Sequence, residues 1–228
     1  MLIGGFQRFS LSDFPGRSAA IVFTQGCNFR CPWCHNAALI PREPRGETVF
    51  SDDLILGFLA SRAGMLDGVV ITGGEPTIQQ DLPDFARRVK SLGYELKLDT
   101  NGSVPRMLSR LLEAGLVDYV AMDVKAPFGR YPALAGIQTP PEAVSESISL
   151  IAGSGIAHEF RTTLVDGMLS ESEIPLIRSL LPPGSKHRIQ KYRNPVVHAR
   201  VTGPAFALRT APGTMPADAG VETARRAG

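Results

Sequence analysis

An α/β fold built on a parallel sheet is what this chain predicts, and three observations predict it. Short β-favouring runs alternate with longer segments of helical period, glycine or polar clusters follow four of those runs, and glycines and prolines stand at the helix ends. The strand runs are residues 19–24, 68–72, 95–99, 117–123, 157–165 and 188–192, and helical periodicity covers 53–63, 84–92, 104–114, 141–152 and 171–181. Pro83 marks a helix start, while Gly64, Gly93, Gly115 and Gly184 lie at or beyond helix ends. Strand–helix alternation of this kind is joined by right-handed crossovers. Six units are fewer than the eight of a closed barrel. An open, partial barrel and a doubly wound sheet both satisfy the pattern.

At 228 residues the chain suits one domain with a real core. Residues 1–200 are expected to form that domain. Residues 201–228, rich in Ala, Gly, Pro and Thr and without period, read as a flexible C-terminal tail. A formal net charge of +2 is too near neutrality to favour a nucleic-acid partner or an anionic membrane surface. No apolar stretch reaches the roughly 18 residues that span a bilayer, and residues 1–10 lack a basic segment followed by an apolar run. A cytoplasmic protein is expected.

All three cysteines, Cys27, Cys31 and Cys34, fall within one short segment. An odd number so closely placed cannot make a disulfide framework, and reduced thiols fit a cytosolic setting. Their C-x3-C-x2-C spacing lets one loop turn three thiolates toward a single small centre, and soft sulfur donors suit iron–sulfur clusters. With three cysteines on a four-iron cubane, one iron keeps no protein ligand and stays open to substrate, as the open position does in catalytic zinc sites. The same residues leave two other readings. A zinc site of three cysteines and His35 is hampered because His35 adjoins Cys34, and three unligated thiols are the other reading. A non-catalytic zinc or electron-transfer module therefore stands as an alternative from a different class.

The cysteine segment, with Trp33 before the last cysteine, closely resembles the signature of the radical S-adenosylmethionine (SAM) superfamily. That resemblance implies the partial (β/α)6 TIM-like barrel and a [4Fe–4S] cluster held by Cys27, Cys31 and Cys34. It also implies SAM chelated at the open iron and cleaved by one electron to methionine and a 5′-deoxyadenosyl radical.

Loops after the strands build the active site of β/α barrels, and three such loops carry chemistry here. Gly73-Gly74-Glu75-Pro76 follows the second strand. By itself it is a tight turn, although two glycines admit a close ligand and a carboxylate can accept from an ammonium group. In this position it resembles the superfamily's grip on the SAM amino group. Asp99-Thr100-Asn101-Gly102 and Met122-Asp123-Val124-Lys125 end the third and fourth strands. Capping and turn chemistry explain Thr100 and Asn101, and surface exposure explains Lys125. Two aspartates closing buried β runs are harder to explain, because a buried carboxylate needs a cation or donors.

Both loops resemble those of glycyl-radical-enzyme activases. The analogy implies that Asp99, Thr100 and Asp123 hold a monovalent cation against the SAM carboxylate, that Lys125 contacts this carboxylate, and that Arg161 lies near SAM. His158, His187 and His198 show no metal-like spacing. Gln190-Lys191-Tyr192-Arg193 stands where relatives place a histidine against the SAM ribose.

A chain barely larger than the barrel, without further cysteines, suits a protein substrate whose own loop enters the site. Residues 6–16 and 23–36 resemble the activating proteins of anaerobic ribonucleoside-triphosphate reductases, and the likeness covers roughly residues 1–195. It implies hydrogen abstraction from a glycine of a large glycyl radical enzyme. It also implies an electron from reduced flavodoxin or ferredoxin, and anaerobic conditions. The alternatives are an activase of pyruvate formate-lyase or another glycyl radical enzyme, and a small-molecule radical SAM enzyme such as a deazaguanine synthase.

Overall fold

The computed structural model describes residues 1–43, 50–136 and 141–193. The proposed tail at 201–228 and His198 lie outside the described residues.

The elements run β1 (Ile3–Ser10), β2 (Ala19–Thr24), α1 (Asp52–Ala60), β3 (Gly68–Gly73), α2 (Leu82–Ser91), β4 (Glu95–Thr100) and α3 (Pro105–Glu113). They continue with β5 (Tyr119–Asp123), α4 (Tyr131–Ala135), α5 (Pro141–Gly153), β6 (Ala157–Leu164), α6 (Ile174–Arg178) and β7 (His187–Lys191). Local chemistry sets the helix ends. The Ser51 side chain accepts from the Leu54 N–H to cap α1, Pro83 sits in the first turn of α2, and Arg88 and Lys90 occupy its last turn.

The seven strands lie in one sheet in chain order, β1 to β7. β2 through β7 are parallel, and β1 pairs antiparallel with β2. Strictly sequential order, with no point where the order reverses, decides against the doubly wound alternative: the sheet winds one way as an open, partial barrel. Six strands match the sequence reading to within two residues, and β1 is an addition to it. Its Ile-Gly-Gly-Phe-Gln-Arg-Phe-Ser has neither clean alternation nor a continuous apolar run, and its pairing carries two register shifts. The helix expected over 171–181 is instead a 3-10 turn, Glu171–Glu173, followed by the short α6.

Period-two alternation splits each strand between two environments. Val22, Ile71, Leu98, Val120, Met122 and Phe160 face outward and pack under helix residues such as Ile55, Leu59, Phe85, Val89, Leu108, Leu111, Ile148 and Ile177. Each such side chain contributes about 1.5–3 kcal/mol on burial. Inside the barrel, a separate small cluster of Phe14, Ala19, Ile21, Val70, Tyr119 and Ala121 fills one part. Phe23 packs against this cluster, and the inward positions of β4 and β6 and the end of β5 are polar and set the chemistry.

Candidate active site

The three cysteines lie on the loop leaving β2, and backbone hydrogen bonds fix that loop. Gly26 and Cys27 donate to the carbonyls of Leu39 and Ile40 (2.8 and 3.0 Å), Arg30 donates to Ala135 (2.8 Å), and Cys34 donates to Cys31 (3.1 Å). A side chain ties the loop across the barrel. Asn28 donates to Ser103 Oγ at 2.7 Å and accepts from Asn101 Nδ2 at 3.0 Å. Asn28 went unremarked in the sequence because its partners lie 73 and 75 residues away.

Cys27, Cys31 and Cys34 are free thiols, each partly buried. Burial, with Glu75 next, pushes the Cys27 thiol up to about 12, opposed by the Phe29 N–H 3.3 Å from its sulfur. Burial likewise raises Cys31, with Lys125 opposing. Neutral thiols give up protons when a metal binds, so loading couples to proton release. Trp33 is buried beneath the loop within the main core. Among the described residues no three His, Cys, Asp or Glu side chains are arranged to hold a single metal ion. The donor set fits a cluster: three soft ligands on one short loop, one of them already accepting a backbone N–H.

The Gly73–Glu75 turn packs directly on this loop. Gly73 has φ of +112°, which only glycine adopts freely, and a side-chain carbon on Gly74 would collide with the Gly26 carbonyl. Glu75 N–H donates to that same carbonyl at 2.9 Å. The Glu75 side chain is 1% exposed, and four donors converge on it. Oε1 accepts from Thr77 N (3.0 Å), Thr77 Oγ1 (2.5 Å) and Thr100 Oγ1 (2.7 Å), and Oε2 accepts from Asn101 N (2.7 Å). Burial raises the Glu75 carboxyl, and these hydrogen bonds oppose the shift. Glu75 thus joins the loops after β3 and β4.

Asp99 and Thr100 are consecutive on β4 and point to opposite faces. The Thr100 hydroxyl is committed to Glu75 and to the Gly102 N–H, whereas Asp99 faces inward. There Asp99 Oδ2 accepts from Arg161 Nη1 (3.2 Å) and Thr72 Oγ1 (3.3 Å), and Oδ1 from Lys97 Nζ. Arg161 Nε reaches Asp123 Oδ1 at 2.9 Å, and Lys125 Nζ reaches Asp123 Oδ2 at 2.9 Å. Burial pushes the Asp123 carboxyl up, but Arg161 and Lys125 more than reverse this and hold it well below the usual carboxylate range. Burial works against the charged forms of Lys125 and Arg161, and their carboxylate partners raise both.

Cys27, Cys31, Trp33, Cys34, Gly73, Gly74, Glu75, Asp99, Thr100, Asp123, Lys125 and Arg161 all line one cavity of about 350 Å³ at the C-terminal ends of the strands. Every residue expected from the sequence to hold the cluster or SAM meets there. Asn101, read in the sequence as turn chemistry, and Gln190, from the segment where relatives place a ribose-contacting histidine, line it too, as does Thr163, which the sequence reading passed over. Gln190 donates to Thr163 Oγ1 at 2.9 Å. His35 stacks on Tyr192 (centroids 4.8 Å apart) and contacts the Arg193 carbonyl at 3.0 Å, tying the cysteine loop to the end of β7. His158 and His187 sit elsewhere, against Ile156 and Thr162. Lys97 was missed, although alternation along Glu95-Leu-Lys-Leu-Asp places it on the face of Asp99.

Residues 21–180 match the profile of the Radical SAM superfamily. A Methanocaldococcus jannaschii protein, provisionally named a glycyl-radical enzyme activating enzyme, is 34% identical over 199 residues covering 84% of this chain and 80% of that protein. A Saccharolobus solfataricus protein provisionally named a GTP 3′,8-cyclase is 31% identical over 113 residues, 49% of this chain and 36% of the cyclase. Among solved structures, AdoMet-bound anSMEcpe superposes with a TM-score of 0.56 at 14% identity, over 75% of this chain and 50% of that one. Streptococcus suis SuiB bound to its precursor peptide SuiA gives 0.53 at 16% identity, over 76% and 38%. At such identities the two structures speak for the fold alone. Proteins of the matched superfamily use a [4Fe–4S] cluster and SAM. Because the profile runs from within β2, through the cysteine loop and the charged strands, to the end of α6, this chain belongs to the radical SAM superfamily.

Proposed function

We propose that this chain activates a glycyl radical enzyme, with anaerobic ribonucleoside-triphosphate reductase as its substrate. The similarity to the M. jannaschii protein over most of both chains supports the activase class. The likeness of residues 6–16 and 23–36 to the activating proteins of such reductases supports the choice of partner. Cys27, Cys31 and Cys34 hold the cluster. When bound, the cluster and SAM supply the one-electron cleavage that generates the 5′-deoxyadenosyl radical, which removes a glycine Cα hydrogen from the partner. Gly73, Gly74 and Glu75 form the wall offered to the ammonium group of SAM, and Lys125 meets its carboxylate beside Asp123. Arg161 holds Asp99 and Asp123 in place, and Trp33 supports the cysteine loop from below. Reduced flavodoxin or ferredoxin supplies the electron, and the protein works in an anaerobic cytoplasm because oxygen destroys an exposed cluster. No helix among the described residues is long and apolar enough to cross a membrane.

Anaerobic reconstitution with iron and sulfide, followed by SAM and dithionite, is expected to yield 5′-deoxyadenosine. Adding the reductase is expected to produce a glycyl electron-spin signal on it. Absence of 5′-deoxyadenosine from a fully loaded protein rejects the reaction class. A signal on pyruvate formate-lyase in place of the reductase reassigns the partner. Likeness to GTP 3′,8-cyclases favours a second reading, a radical reaction on a small molecule. Turnover of GTP or another purine, without any glycyl signal, selects it.

A further inference from the structure

Lys97 is the least expected residue of the barrel. It sits in the middle of β4 with its side chain 3% exposed, and its ammonium meets one oxygen of Asp99 and the face of Tyr119, 6.0 Å from the ring centroid. A buried lysine is costly unless a carboxylate neutralises it, and here Asp99 does so. The surrounding charges form one chain: Lys97, Asp99, Arg161, Asp123, Lys125, each in contact with the next. Three cations serve two carboxylates. Each of the four carboxylate oxygens already accepts from an ammonium or a guanidinium group.

A monovalent cation beside Asp99 and Asp123, as the activase resemblance implies, does not fit these residues. It would bring a fourth positive charge to two carboxylates that three cations already balance, and the neighbouring Thr100 hydroxyl is turned to the other face and bound to Glu75. We propose that the Lys97 ammonium is a built-in counterion that replaces this cation. The cluster then keeps one positive charge in excess, available to an anionic ligand group at Lys125 without any alkali ion. This role of Lys97 rests on the proposed placement of Asp123 and Lys125 against the SAM carboxylate.

The test uses the full chain. Unfolding temperature is measured in choline, sodium and potassium chloride at one ionic strength on the apo-protein, and SAM affinity is measured in the same salts after reconstitution. The wild type is expected to melt identically in all three salts, with its SAM affinity unchanged to within about twofold. Lys97→Met vacates the ammonium position. It is expected to melt higher in sodium or potassium than in choline, and to bind SAM about tenfold more weakly in choline alone. Adding Asp99→Asn to Lys97→Met is expected to abolish the cation response.

A wild type whose melting or SAM affinity requires sodium or potassium overturns the proposal, and that arm holds even where Lys97→Met does not fold. A folded Lys97→Met that is indifferent to the salt also overturns it. A cation response of Lys97→Met in apo melting, without any change in SAM affinity, supports the counterion and overturns the placement of SAM.

Discussion

Where β2 and β3 face the barrel interior, Ala19, Ile21 and Val70 pack with Phe14, Tyr119 and Ala121 in a dry cluster. On β4 and β6, and at the end of β5, the inward positions instead carry Lys97, Asp99, Glu159, Arg161 and Asp123. The apolar side gains stability piece by piece, roughly in proportion to the area each side chain removes from water. The charged side responds in larger steps, because removing Arg161 leaves Asp99 and Asp123 without their shared buried partner. The cysteine loop leaves the sheet from the apolar side at β2, and it shares one cavity with Lys125 and Arg161 of the charged side. A ligand bound between them meets soft metal ligands on one wall and fixed charges on the other.

Four changes test that contrast. Replacing a thiol, as in Cys27→Ala, is expected to abolish cluster iron and 5′-deoxyadenosine formation completely. The circular dichroism of the apo-protein should stay unchanged, since the Cys27 sulfur accepts a single backbone hydrogen bond. A fully loaded, active variant would remove this cysteine from the site. Next, Arg161→Met strips both aspartates of their shared guanidinium. Urea unfolding is expected to show a loss of about 3 kcal/mol, and a loss below about 1 kcal/mol would mean that water screens the charged side.

The third test is acid. Asp123 is held below its ordinary value of 3.8 in the fold. The stability it contributes is therefore present above that value and is lost as pH falls through the lower folded one. Acid titration of wild-type unfolding is expected to show this loss, and Arg161→Met to show less of it. A pH dependence equal in both proteins would dissociate Arg161 from Asp123. The smallest expected effect is Ile21→Val on the apolar side, about 1 kcal/mol, constant across the same pH range. A cost that varied with acid would show that the two sides are coupled.

The contrast was half legible in the sequence. Asp99 and Asp123 stood out because each carboxylate closes a β run, and the cysteines because of their spacing. Lys97 carried a weaker signal, its period-two alignment with Asp99, which becomes meaningful once the inner face of β4 is known. The Glu75 side chain shows how a correct location leaves the contacts open. Its position in the turn after β3 follows from Gly73-Gly74-Glu75-Pro76, but its four donors come from Thr77, Thr100 and Asn101, the last two at the end of β4 and just beyond it. Strand β1 stayed hidden because Gly4, Gly5 and a polar stretch erase the alternation, and its pairing with β2 is what defines it.

From its sequence alone this protein had its strand–helix order, its thiolate loop and its likeness to radical SAM proteins, because these depend on residues close together along the chain. The tertiary structure decided that the sheet winds one way without reversal, that Asp99 and Thr100 serve opposite faces, and that Lys97 completes a chain of charges with Arg161 and Lys125. Those outcomes depend on register between strands and on how closely successive loops approach. Both are set by packing across the barrel, where the partners lie tens of residues apart.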